Sequence, residues 1–260
     1  MFKIDRYALI TGSTSGIGKA LSQKFAREKV NLILVSRNAQ KLRRQAAALT
    51  HRYGINVTVV TAQLEKPDAA HMVYENVKRL GRPVHYLVNN AGFGIHGSFF
   101  KASLNKQIEM VNVHIICTTA LMKLFLPDMV KNKFGRVLNV ASTAAYMACP
   151  HLSVYAATKA YVLSVSKSVR AELDGTGVTV TTLCPGATHT AFAKKAHMTR
   201  TPLFNIAVMS PEAVAEIGYK ALMQGKAVVV AGLYNKALVW SSQKMPALLT
   251  NAVTKFMLKQ

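Results

Sequence analysis

Apolar residues along the chain follow two alternating patterns. Short runs rich in Val, Ile, Leu and Thr occupy Tyr7–Thr11, Asn31–Ser36, Val57–Thr61, Tyr86–Asn89, Arg136–Val140, Val178–Leu183 and Ala227–Ala231. Their brevity and near-continuous hydrophobicity predict strands buried on both faces. Between them lie longer stretches with apolar positions three or four residues apart, near Ile17–Lys29, Ala39–Tyr53, Pro67–Leu80, Leu104–Val130, Val154–Leu173 and Pro211–Gln224. That spacing predicts amphipathic helices. Strands alternating with helices pair in parallel through right-handed crossovers. The expected fold class is therefore α/β, a doubly wound parallel sheet of about seven strands in one domain.

Composition agrees with this and narrows the setting. The 260 residues are 50% apolar, enough for a large core. No stretch of about 20 apolar residues runs free of charges or turn residues, so no membrane-spanning helix is expected. The charged head Met1–Arg6 leads straight into the first strand without an apolar leader, so no signal peptide is expected either. Cys117, Cys149 and Cys184 are odd in number and lack ligand spacing, which points to free thiols, no metal and a reducing cytoplasm.

The formal net charge of +22 changes the picture more. From Arg6 to Leu64 there are ten Lys or Arg residues and a single acid, Glu28. Nucleic acid is one partner class for such a chain. The basic residues stand singly at helical spacings, however, with no nucleic-acid signature, so nucleic acid is set aside. A solvated basic surface and attraction to anionic cofactors, carriers or lipids remain.

Ligands on doubly wound sheets bind beyond the carboxyl ends of the strands. The first strand ends in Thr11-Gly12-Ser13-Thr14-Ser15-Gly16-Ile17-Gly18 and opens a helix. Glycines there permit positive φ and close backbone approach, and the helix N-terminus offers free N–H groups to a pyrophosphate. Gly12, Ser13, Ser15, Gly16, Ile17 and Gly18 are the expected phosphate-binding set. The second strand ends in Val35-Ser36-Arg37-Asn38, without the acid that commonly holds a ribose 2′-hydroxyl. Arg37 instead suits a 2′-phosphate, with Ser13 and Ser36 as hydroxyl donors, so NADP(H) is expected and NAD(H) is the second choice.

Three residues form the strongest catalytic constellation. Tyr155 and Lys159, four apart on a predicted helix, share one face. A neighbouring ammonium and a positive nicotinamide favour the phenolate, lowering a pKa that is otherwise near 10. Tyr155 then serves as general acid in ketone reduction and general base in alcohol oxidation. Ser142, at the end of the fifth strand, can donate to a carbonyl gaining negative charge.

The T-G-x-x-x-G-I-G turn, Asn89-Asn90-Ala91-Gly92 after the fourth strand, and the Ser142, Tyr155, Lys159 order resemble the short-chain dehydrogenase/reductase family, and the basic tail of the last 25 residues resembles that of its bacterial acyl/ketone reductase-like branch. The resemblance covers roughly residues 7–235 and implies a Rossmann-like fold. It implies that Asn90, Ala91 and Gly92 line the adenine-ribose side, and that Pro185, Gly186, Thr188 and Thr190 after the sixth strand also touch the cofactor. It further implies that Lys159 binds the nicotinamide ribose, and that Asn112 holds a water linking Lys159 to solvent. Relatives carry an Asp after the third strand; here the segment reads Thr61-Ala62-Gln63-Leu64, so Gln63, beside Leu64, is expected in that place. The family also implies a homodimer or homotetramer.

The loops expected around substrate, 93–100, 143–151 and 187–205, carry Phe93, Ile95, Phe99, Tyr146, Met147, Phe192, Met198, Leu203 and Phe204. An apolar pocket of this kind favours a lipophilic ketone or alcohol: 3-oxoacyl, steroid-like or long-chain. His96, His151 and His189 border it, whereas His51, His71 and His85 belong to surface or strand-edge positions. The segment 236–260 reads as an amphipathic basic extension of the domain 1–235, with Leu238, Met245, Leu248, Leu249, Val253, Phe256 and Met257 at helical spacing. It packs on the body, on a second subunit, or on an anionic inner-membrane surface or acidic carrier. The rival functions are a catalytically silent NADP(H)-binding regulator, a membrane-surface adaptor, and an epimerase or dehydratase reusing the Tyr–Lys pair.

Overall fold

The computed structural model describes residues 5–196, 198, 201, 202 and 208–258. Seven strands appear where the apolar runs stand: β1 Tyr7–Thr11, β2 Asn31–Ser36, β3 Val57–Thr61, β4 Val84–Asn89, β5 Gly135–Val140, β6 Val178–Cys184 and β7 Val228–Val230. All pairings are parallel, in the order β3-β2-β1-β4-β5-β6-β7. Strand order reverses between β1 and β4, which opens a crevice at their carboxyl ends.

Alternation along each strand divides the core in two. Tyr7 and Leu9 of β1 face one apolar layer with Val73, Leu121, Phe125 and Val180, while Ala8 and Ile10 face a second with Leu21, Phe25, Leu42 and Leu222. The first layer is covered by α3 (Ala69–Arg79), the long fourth helix and α6 (Ser153–Glu172). The second is covered by α1 (Gly16–Arg27), α2 (Ala39–Tyr53) and α8 (Pro211–Met223). Asn38 caps α2 by accepting from the Lys41 N–H, and Gly54 ends it in the left-handed conformation.

Three features depart from the expectations. The fourth helix is not one continuous α-helix: α4 (Leu104–Val111) and α5 (Thr118–Lys131) flank a π-helical turn at Asn112–Cys117. The run Leu104–Lys131 is also more apolar overall than expected, enough by length and composition to cross a membrane, although Glu109, Lys123 and Pro127 keep it from being free of charges and turn residues. Met110, Val113, Cys117, Leu121, Met122, Phe125 and Met129 of that run are buried, so its apolar character is that of a core helix. Finally, the C-terminal segment forms two helices, α9 (Leu233–Lys244) and α10 (Ala247–Met257), with the short α7 (Ala191–Lys195) preceding α8. Pro246 separates α9 from α10: it biases the preceding Met245 to extended backbone (ψ 145°).

Candidate active site

One cavity of about 380 Å³ runs from the β1–α1 turn across the sheet to the C-terminal helices. Its first wall is set by hydrogen bonding from Thr11. The Thr11 hydroxyl accepts the N–H groups of Asn90 and Ala91 at 3.0 Å each and donates to the Val88 carbonyl at 3.3 Å. The Asn90 amide donates back to the Thr11 and Gly12 carbonyls. Gly12 sits at φ 64°, and a Cβ there would meet Ala91 Cα at 2.8 Å; one on Gly18 would collide with the Gly12 carbonyl and the Asn90 side chain. The two turns therefore pack at a separation that only glycine permits. Ser15 precedes α1 without a side-chain cap, and the first turn of α1 holds no acid. Its N–H groups are left to an external acceptor, a setting that fits a dinucleotide pyrophosphate.

Most of the expected cofactor residues line this cavity: Gly12, Ser15, Gly16 and Ile17 at the turn, then Arg37 and Leu64, and Asn90, Ala91 and Gly92. Pro185, Gly186, Thr188 and Thr190 after β6 line it as well. Four expected residues lie apart. Ser13 is buried and both its N–H and its hydroxyl go to the Val35 carbonyl; its neighbour Thr14 lines the cavity instead, 3.0 Å from the Ser36 hydroxyl. Gln63 is exposed, so Ala62, Leu64 and Glu65 present that strand end to the cleft. Gly18 lies behind the turn. Asn112 is also outside the cavity, donating from its side-chain amide to the Glu65 carbonyl at 3.0 Å. Glu65 was not foreseen: it holds Arg37 at 3.3 Å, so a carboxylate does stand near the end of β2, contributed by the chain beyond β3.

Ser142, Tyr155 and Lys159 all line this cavity. Ser142 caps a 3₁₀ turn, accepting the Ala144 N–H at 3.2 Å, and its hydroxyl reaches the Pro185 carbonyl. Lys159 is buried with its Nζ donating to the Val140 carbonyl at 2.9 Å, and lies 5.7 Å from the Tyr155 ring centroid. No carboxylate pairs with it among the described residues. Burial consequently pushes the Lys159 ammonium down to about 8. Burial also pushes the Tyr155 phenol up to about 12, only partly opposed by the hydrogen bond with Ser142. Contrary to the expected acidification, Lys159 does not lower the phenol in this state; burial dominates, and Tyr155 stands as a neutral proton donor.

His114 was missed altogether. It lies in the π-turn, buried, with its ring 5.7 Å from that of Tyr155. Nε2 accepts the Phe93 N–H at 3.1 Å, which requires the neutral ring to carry its proton on Nδ1. Nδ1–H then donates to Thr158 Oγ1 at 2.8 Å, and that hydroxyl donates to the Tyr155 carbonyl at 2.7 Å. Desolvation and the nearby Lys159 hold the imidazole well below its ordinary pKa, preserving this tautomer. A Cβ on Gly92 would sit 2.6 Å from Nε2, so the glycine lets the ring approach. The signal was a lone histidine in the apolar run 110–117.

The far wall is apolar. Phe93, Met147, Phe192 and Met198 line it as expected, joined by Leu152 and by Leu238, Val253 and Met257 from the C-terminal helices. Ile95, Phe99, Tyr146, His96, His151 and His189 do not line this cavity, and Leu203 and Phe204 lie outside the described residues. His96 instead contacts the Leu258 carbonyl at 2.8 Å. No group of three potential metal ligands occurs among the described residues.

Comparison with known proteins accords with this geometry. The short chain dehydrogenase family model matches residues 6–201. The chain is 32% identical over 187 residues to hydroxysteroid dehydrogenase-like protein 1 of Gallus gallus, covering 70% of this chain and 56% of that protein. It is 31% identical over 198 residues to the very-long-chain 3-oxoacyl-CoA reductase of Anas platyrhynchos, covering 74% and 62%. The chain thus spans only about three-fifths of the length of these relatives. A short-chain dehydrogenase from Sphingobium yanoikuyae, solved in complex with NADPH, superposes with a TM-score of 0.82 at 27% identity, covering 92% of this chain and 94% of that one. With the seven-stranded parallel sheet, the glycine turn and the Ser–Tyr–Lys cluster all in place, the chain belongs to the short-chain dehydrogenase/reductase family of oxidoreductases.

Proposed function

We propose that the protein is an NADP(H)-dependent oxidoreductase that interconverts a lipophilic ketone and its alcohol, with 3-oxoacyl, steroid-like and long-chain carbonyls as the substrate class. The observation that carries this reading is a neutral, half-buried Tyr155 beside Ser142 and Lys159, facing an apolar wall built by Phe93, Met147, Leu152, Phe192 and Met198. Bound NADP(H) would supply or accept the hydride. The turn Gly12–Ile17 and the first turn of α1 would hold its pyrophosphate, Arg37 with Thr14 and Ser36 its 2′-phosphate, and Lys159 its nicotinamide ribose.

The chain's own residues account for the proton. Ser142 orients the carbonyl oxygen and donates a hydrogen bond as negative charge grows there. Tyr155 gives its phenolic proton to that oxygen, and the nearby Lys159 ammonium stabilises the phenolate left behind. A phenol held up at about 12 suits reduction, since it arrives protonated throughout the neutral range. The names of the 3-oxoacyl-CoA and hydroxysteroid relatives are consistent with the substrate class. Exposed Leu104, Ile108 and Ile116 on the fourth helix support self-association, as a homodimer or homotetramer, and three buried free cysteines accord with the cytoplasm.

The test is NADPH oxidation, followed by absorbance, over 3-oxoacyl thioesters, steroids, long-chain aldehydes and quinones. One apolar carbonyl class should be turned over, and Tyr155→Phe should lower its kcat by about 10²–10⁴-fold while sparing NADPH binding. NADPH binding without turnover of any carbonyl would leave the silent-regulator reading in its place.

A further inference from the structure

We propose that the outer faces of α9 and α10 dock on an anionic lipid bilayer, and that the cavity opens onto this docked surface. On α10 the inward side is small and polar, with Thr250 and Thr254 buried, whereas Leu248, Leu249, Val253 and Phe256 face solvent at 84, 55, 45 and 67% exposure. On α9, Leu233, Ala237 and Trp240, at helical i, i+4 and i+7 spacing, form an outward stripe beginning at Leu233 (82% exposed) and ending at Trp240 (67% exposed). So many large apolar side chains on two consecutive short helices exceed the scattered exposure that needs no explanation.

The charge around them selects the occupant. No Asp or Glu follows Glu216 in the sequence, while Lys220, Lys226, Lys236, Lys244, Lys255 and Lys259 do. Lys236, Lys244 and Lys255 are exposed on the two helices themselves. A two-fold contact with a second copy would press this patch against itself, lysine toward lysine, with no acid on either helix to relieve the repulsion. An anionic bilayer accepts both parts at once, aromatic and aliphatic side chains at the acyl boundary and lysines among the headgroups.

The cavity is continuous with that surface. Tyr234 and Val253 both line it and are about half exposed, so they form its rim between the two helices' outer stripes and the Tyr155 side. A carbonyl dissolved in the bilayer would reach the site past this rim without crossing water. That delivery step rests on the lipophilic-substrate reading above; the docking itself does not.

Trp240 is the single tryptophan of the chain, so its emission reports the patch alone. The full-length protein is titrated with phosphatidylcholine vesicles containing phosphatidylglycerol, and with pure phosphatidylcholine vesicles. The anionic vesicles should shift Trp240 emission to the blue and co-sediment the protein, with affinity falling as salt rises. Leu248→Ser with Phe256→Ser, and separately Lys236, Lys244 and Lys255→Gln, should each weaken this binding about tenfold or more, at unchanged NADPH affinity. Equal binding to neutral vesicles, a blue shift that tracks protein concentration without vesicles, or a shift produced only by an acidic carrier protein would each overturn the proposal. Turnover of a water-soluble ketone, measured on the same variants, should stay unchanged; absence of any ketone turnover in the unaltered protein would count against the proposed reaction and not against docking.

Discussion

Arg37 and Glu65 offer a sharp test of cofactor choice. Their ion pair, 3.3 Å long with the guanidinium side chain 60% exposed, is of the surface kind worth at most about 1 kcal/mol. A 2′-phosphate can therefore displace Glu65 at little cost. Charge-assisted hydrogen bonds to such a group contribute about 1.5–3 kcal/mol, and the exposure of Arg37 brings the net gain to about 1–2 kcal/mol. Replacing Arg37 with Leu should thus raise the NADPH Kd about 5- to 30-fold and leave that of NADH within about twofold. Glu65→Gln removes both the competitor and a negative charge beside the phosphate, so NADPH should bind a few-fold tighter. Quenching of cofactor fluorescence, titrated at fixed ionic strength with both cofactors, measures all four values. Equal losses for NADPH and NADH in Arg37→Leu would refute the assignment of Arg37 to the 2′-phosphate. Tighter NADH binding in Glu65→Gln, with NADPH unmoved, would place the carboxylate's influence elsewhere on the ribose.

The remaining predictions concern the centre of the cavity. Carbonyl reduction should be level through neutral pH and decline as pH rises through about 8, where the buried Lys159 loses its proton while Tyr155 keeps its own to about 12. A kcat/KM profile supplies the check, and a rate still flat well past that point would remove Lys159 from the proton path. His114→Leu leaves the Phe93 N–H without its acceptor inside the fold, a cost of about 1–3 kcal/mol. Thermal unfolding should show that loss, and kcat should fall more than the NADPH affinity because the ring buttresses Tyr155. Unchanged Tm and kcat together would dismiss the His114–Thr158–Tyr155 chain as incidental.

How much of this was visible in the sequence depended on the range of the signal. Strands such as Asn31–Ser36 announce themselves because both faces are buried, leaving a run with no polar side. Tyr155 and Lys159 were legible because four residues on a helix bring two side chains to one face. Near the strand ends, parity decided what could not be read. One residue of offset turns Ser13 into the interior and Thr14 into the cavity, and likewise sends Gln63 to solvent while Leu64 and Glu65 face the site. The Arg37–Glu65 pair joins residues 28 positions apart, so no local pattern contained it. The division of the C-terminal segment was carried by Pro246 and overlooked in favour of the longer apolar periodicity.

The π-turn at Asn112–Cys117 also constrains how this chain can vary. A turn wound with one surplus residue sets the angular phase between the two halves of the helix that flanks the sheet. Excising a single residue there would let the turn close to ordinary α winding, which keeps the two halves nearly in phase but re-aims the side chains between them. Met110 and Leu121 in the flanking segments would keep their inward faces, whereas His114 would leave its place behind Gly92. Substitutions within 112–117 other than at His114 should therefore be tolerated better than deletions, because the surplus residue is what holds His114 in place.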